Sequence, residues 1–118
     1  MGSLAGRHVL VVEDEYFIAD DLAKALAASG AQVLGPVSTQ DDALRLLDSR
    51  QPDLAILDIN LKGTVGFAVA DELARRAIPF VFATGYDANS LPDRHADRPR
   101  WQKPFSIDDL LASLAGTL

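Results

Sequence analysis

Two hydrophobic periods alternate along the whole chain, and that alternation restricts its fold more than any other feature. Solid apolar runs stand at His8–Val12, 54–58 and 79–84. Between them, apolar residues recur every three or four positions, the spacing of one helix face. In 15–29 the stripe is Ile18, Leu22, Ala25 and Leu26, and Gly30 follows as a stop signal. Ser38 and Asp41 have capping-box spacing at the head of a predicted helix 38–50 that buries Ala43, Leu46 and Leu47. A helix over 66–76 turns Phe67, Ala70 and Leu73 inward, and Ser106 caps a last helix with Asp109 at its third position and Ile107, Leu110, Leu111 and Leu114 on the buried face. Strand and helix alternate five times, which predicts a doubly wound α/β fold: a parallel sheet with helices on both faces.

The strand order is also readable. Strands buried on both faces are unbroken apolar runs, which makes the first, third and fourth central. The second, 32–37, contains Gly35-Pro36, and proline belongs at sheet edges or bulges. The fifth, 100–102, is short and polar. With right-handed crossovers the order 2-1-3-4-5 follows, the flavodoxin-like arrangement, with ligands expected where the carboxyl ends of strands 1 and 3 diverge. The segment GYDANSLPDRHADRP, 85–99, has few apolar residues and two prolines. It predicts a reduced fourth helix, one turn near 89–91 at most.

The 118 residues suit one domain. A net charge of -6 argues against nucleic acid as a partner, because phosphate backbones would be repelled. The absence of cysteine excludes disulfides and thiolate metal sites. No run approaches the roughly 20 apolar residues that span a bilayer, and the run Val9 to Val12 is too short for a signal-peptide core. The expectation is a cytoplasmic protein without membrane contact.

Glu13 and Asp14 end the first strand and Asp58 ends the third, so the fold gathers them in one cleft. Crowded carboxylates require a positive charge among them. Mg²⁺ fits hard oxygen ligands, with Mn²⁺ as its substitute, and the Asn60 backbone carbonyl is placed to add a ligand. Thr84 ends the fourth strand and Lys103 follows the fifth. A hydroxyl, an ammonium and a metal beside a carboxylate make a phosphoryl-accepting site, with Asp58 as nucleophile and Lys103 and Mg²⁺ neutralising the equatorial oxygens. Taken singly, each residue has a plainer alternative: solvated acids or helix caps at strand ends, a surface lysine, a threonine that merely closes a strand. Their convergence on one point favours the chemical reading.

The motifs VVEDE, LDINL, FATGY and KPF resemble the signatures of response-regulator receiver domains (CheY-like) over 7–118, with 1–6 as an N-terminal tail or expression scar. The resemblance implies a phosphoacceptor of a bacterial two-component phosphorelay, a signalling domain that catalyses only its own phosphorylation and dephosphorylation. Asp58 would be the phosphoacceptor, Glu13 and Asp14 the acid pair, and Thr84 and Lys103 the sensors of the phosphoryl group. It also implies a cis Lys103-Pro104 bond. Its partners would be a histidine kinase or histidine phosphotransferase and a downstream protein on the strand 4–helix 4–strand 5 face. Receivers usually carry an aromatic residue three positions before the strand-5 lysine; here Arg100 stands there, and Trp101 beside it should face the other way. PFVFATGY resembles a subgroup of mostly single-domain regulators linked to bacterial general stress signalling. Thr84, Gly85 and Tyr86 would then replace the aromatic switch, the alternative for Tyr86 being a half-buried loop aromatic.

The chain ends after its last helix, so output is expected through protein contact or phosphoryl flow. The competing readings are a receiver excised from a larger hybrid kinase or regulator, a pseudo-receiver, and a Mg²⁺-dependent phosphohydrolase-like domain. Phosphohydrolases of that kind usually need a second acid two residues past the nucleophile, where this chain has Asn60.

Overall fold

A computed structural model describes residues 4–58, 60–61, 64–65, 67–84 and 92–117. The principal sheet contains β1 (His8–Val12), β2 (Gln32–Val37), β3 (Leu54–Leu57), β6 (Phe80–Thr84) and β7 (Arg100–Gln102) in the order β2-β1-β3-β6-β7, every pairing parallel. This is the doubly wound order read from the sequence. An antiparallel pair, β4 (Asn60–Leu61) and β5 (Thr64–Val65), follows β3 and was not anticipated. The helices are α1 (Tyr16–Ala28), α2 (Gln40–Ser49), α3 (Ala68–Arg75) and α4 (Ile107–Thr117).

The unbroken apolar runs exist because each central strand serves two cores. Leu10 and Val12, Ala55 and Leu57, and Phe80 and Phe82 face α2 and α3, where Ala43, Leu47, Val69, Ala70 and Leu73 meet them. The alternate residues Val9 and Val11, Leu54 and Ile56, and Val81 and Ala83 face α1 and α4 through Leu22, Leu26, Leu110, Leu111 and Leu114. Trp101 packs on this second face, its ring 6.4 Å from that of Phe105.

The edge strands carry the irregularities. The register of β2 on β1 shifts between Leu10↔Leu34 and Val12↔Val37, at Gly35-Pro36, whose peptide bond is cis. Gly35 has φ 98°, and a Cβ there would lie 2.7 Å from the Val37 nitrogen and 3.0 Å from the Val11 carbonyl oxygen. Only glycine fits.

Two helix starts differ from the sequence reading. The cap of α2 is Thr39, not Ser38: its hydroxyl accepts the Asp42 N–H at 3.1 Å. Strand β2 runs to Val37, so the chain turns into helix one residue later than the capping-box spacing suggested. Helix α3 begins at Ala68, two residues late, and the Gln40 side chain accepts the Ala68 N–H at 3.2 Å. Ser106 does cap α4, accepting the Asp109 N–H at 3.2 Å. Between β6 and β7 the described residues contain one 3-10 turn, Asp93–His95, and no α-helix. The turn predicted near 89–91 lies outside the described residues.

Candidate functional site

The carboxyl ends of β1 and β3 deliver the acids. The Glu13 N–H donates to the Val37 carbonyl at 2.9 Å and the Asp58 N–H to the Val12 carbonyl at 2.8 Å, so sheet-type bonds fix both backbones. Glu13 is 3% exposed and Asp58 7%, whereas Asp14 is half-buried. One carboxylate oxygen from each of Glu13, Asp14 and Asp58 lies within 4.8 Å of the others. Asp58 lines a small cavity with Val12, Leu57, Val69, Ala70, Phe82 and Gln40. A groove of about 370 Å³ opens beside the acids, between the first turns of α1 and the Pro36-Val37-Ser38 stretch.

Lys103 closes the cluster. Its Nζ donates to Glu13 Oε1 at 2.9 Å, Glu15 Oε1 at 2.9 Å and Asp58 Oδ2 at 3.2 Å. Burial works against the charged ammonium, but the hydrogen bonds to Glu13 and Glu15 and the charge of Asp58 outweigh it and hold the lysine above its usual range. Burial also pushes the Glu13 carboxyl up to about 7, against the Lys103 hydrogen bond and with the help of the Asp58 charge. Glu13 Oε1 accepts from Lys103 and from the Glu15 N–H, while Oε2 is buried with no hydrogen-bond partner. A buried, orphaned carboxylate oxygen beside two more acids suits a hard divalent cation. The donor set fits Mg²⁺, which Glu13, Asp14 and Asp58 would hold.

The other expected residues are placed as follows. The backbone of Thr84 closes β6, opposite Gln102, on the same sheet edge as the acids. The backbone of Asn60 opens β4 two residues past Asp58. Gly85 and Tyr86 lie outside the described residues. Arg100 pairs with Phe82 in the sheet and is exposed. The Lys103-Pro104 peptide is cis.

Two residues escaped the sequence reading. Glu15, which the sequence reading placed only at the start of the first helix, reaches Lys103. His95 sits in a polar segment with no hydrophobic period, yet is 1% exposed. Its Nε2 donates to Asp71 Oδ1 at 2.7 Å, and its ring lies 5.7–6.1 Å from Phe67, Phe80 and Phe82. Asp71 also accepts from Arg94 at 2.7 Å, and these bonds hold its carboxyl below the usual range. The 3-10 turn is thereby anchored to α3.

A five-stranded doubly wound sheet with three clustered carboxylates and a lysine at its carboxyl edge defines the CheY-like class. The chain belongs to the response regulator receiver domain family, which it matches over residues 9–115. It is therefore a receiver domain of a two-component response regulator, a signalling domain. The transcriptional regulatory protein PdtaR of Mycobacterium tuberculosis is 34% identical over 112 residues, covering 92% of this chain and 55% of PdtaR. The chain thus spans about half the length of that relative. The solution structure of SdrG from Sphingomonas melonis Fr1 is 40% identical with a TM-score of 0.78, covering 98% of this chain and 96% of SdrG. The BeF3-activated conformation of SdrG is 42% identical, also with a TM-score of 0.78, and covers 100% of this chain and 99% of that one. No helix among the described residues is long and apolar enough to cross a membrane.

Proposed function

We propose that this receiver accepts a phosphoryl group on Asp58, with Mg²⁺, from a histidine kinase or histidine phosphotransferase. The observation that carries the reading is the Lys103 ammonium lying against Asp58 beside the orphaned oxygen of Glu13. An Asp58 oxygen attacks phosphorus, the O–P bond forms, and the bond from phosphorus to the donor imidazole breaks. The leaving nitrogen keeps the electron pair. Lys103 donates to an equatorial oxygen, and the Thr84 hydroxyl is proposed to bind another once the group has arrived. Bound Mg²⁺ would neutralise phosphoryl charge between the acids, with the Asn60 carbonyl as a further ligand.

Switching is proposed to run from Thr84 through Gly85 and Tyr86 into the stretch that ends at Arg100, because Arg100 is exposed and offers no aromatic ring to rotate. The partner surface would be β6, the Asp93–His95 turn and β7, in general stress signalling or a related relay. That SdrG has a BeF3-activated conformation supports a phosphoryl-responsive receiver here. Intact mass after incubation with Mg²⁺ and acetyl phosphate tests the reading. Wild type should gain one phosphoryl group and Asp58→Asn none; an unmodified wild type refutes it.

A further inference from the structure

Glu15 does no capping for the helix it heads. It is the N-cap residue of α1, and its side chain accepts no helix N–H. Short polar side chains are preferred at that position because they satisfy an end donor, and Thr39 and Ser106 do so for α2 and α4. The Glu15 carboxylate instead reaches a lysine 88 residues away and accepts from its Nζ at 2.9 Å. An ammonium has three donors. Those of Lys103 have three carboxylates to meet: Glu13 and Glu15 at 2.9 Å and Asp58 at 3.2 Å.

We propose that Glu15 is a positioning residue, a releasable tether that occupies one Lys103 donor at rest and thereby lowers the avidity of the site for a phosphoryl group. The inference rests on reading Asp58 as the phosphoacceptor. To donate to a phosphoryl oxygen, Lys103 must give up one carboxylate. The side chains of Glu13 and Asp58 are 1% and 4% exposed, so neither has room to turn away from the ammonium into water. The Glu15 side chain is 59% exposed and can turn into water at small cost. Glu15 is therefore the partner that leaves, and its bond to Lys103 competes with the incoming oxygen.

The test uses the full chain with Mg²⁺. The rate of phosphoryl uptake is measured against acetyl phosphate concentration, alongside a beryllofluoride titration. Glu15→Ala should tighten beryllofluoride binding and raise uptake at low donor concentration by about two- to fivefold, the range of an exposed ion pair. Glu15→Gln, which keeps a weaker acceptor, should fall between. Glu15→Asp retains the charge but is one methylene shorter, and at the N-cap it should turn to the α1 backbone N–H groups rather than to Lys103. If the tether operates, Glu15→Asp follows Glu15→Ala. If it instead matches wild type while Glu15→Ala is faster, simple repulsion of an anionic donor explains the effect and the tether is wrong. Variants indistinguishable from wild type overturn the tether alone, whereas a wild type that takes up no phosphoryl group overturns the phosphoacceptor reading.

Discussion

Replacing Lys103 with methionine should make the stability of this domain depend on pH in a way that wild type does not. In the metal-free protein, burial places the Glu13 carboxyl at about 7, against an ordinary value of 4.5. The folded state therefore holds a proton that the unfolded chain has released. Stability from this group is fully present below about pH 4.5 and is lost as pH rises through 7. A rise from 4.5 to about 7, at about 1.4 kcal/mol per pH unit, amounts to a loss of roughly 3–4 kcal/mol, after which the wild-type curve levels off. Lys103 limits that loss, because its hydrogen bond to Glu13 pulls the carboxyl down. Methionine fills similar space and removes the charge. Glu13 and Asp58, almost wholly buried, then face each other without it. The Glu13 carboxyl rises further, so the variant should keep losing about 1.4 kcal/mol per pH unit above pH 7. Urea unfolding at pH 6, 7 and 8 in the presence of a chelator measures this. Wild type and Lys103→Met should diverge only at the upper end, and Mg²⁺ should narrow the gap by replacing the lost charge. Parallel curves across the whole range would show that Lys103 and Glu13 are not coupled, and the electrostatic description of the site would be wrong.

Asp14→Ala should abolish the rise in melting temperature that Mg²⁺ gives wild type, because the cluster loses one of its three acids; thermal unfolding with and without the ion decides it, and an unchanged shift removes Asp14 from the ligand set. Gly35→Ala should destabilise the domain by about 2–4 kcal/mol, because its Cβ would meet two backbone atoms at positive φ. Urea unfolding measures that loss, and one below about 0.5 kcal/mol, typical of an uninvolved surface site, would show that the bulge tolerates a side chain.

The architecture was legible because burial on two faces leaves a distinct mark. Val9 to Val12 must serve both cores, so no polar residue interrupts them, while Pro36 and the polar Arg100–Gln102 marked the two edges. The acids were legible because the fold puts strand ends together, so Glu13, Asp14 and Asp58 converge whatever lies between them in sequence. What stayed hidden was set by tertiary contact alone. The two-residue strands β4 and β5 are too short to show a period. Glu15 finds Lys103 across 88 positions, and His95 is drawn among three phenylalanine rings by Asp71 on α3, with nothing in the segment 92–99 to announce it. The Thr39 cap differs from the expected Ser38 by one residue, which the register of β2 decides and the local motif does not.

Asp58, buried against Lys103, is proposed to carry the phosphoryl group. An acyl phosphate is reduced by borohydride to an alcohol, which converts a phosphorylated aspartate to homoserine. Trapping the protein after reaction with Mg²⁺ and acetyl phosphate, followed by peptide mapping, locates the group at one residue. Homoserine is expected at position 58 in wild type and at no position in Asp58→Asn. Homoserine at any other aspartate of the unmutated chain would contradict it.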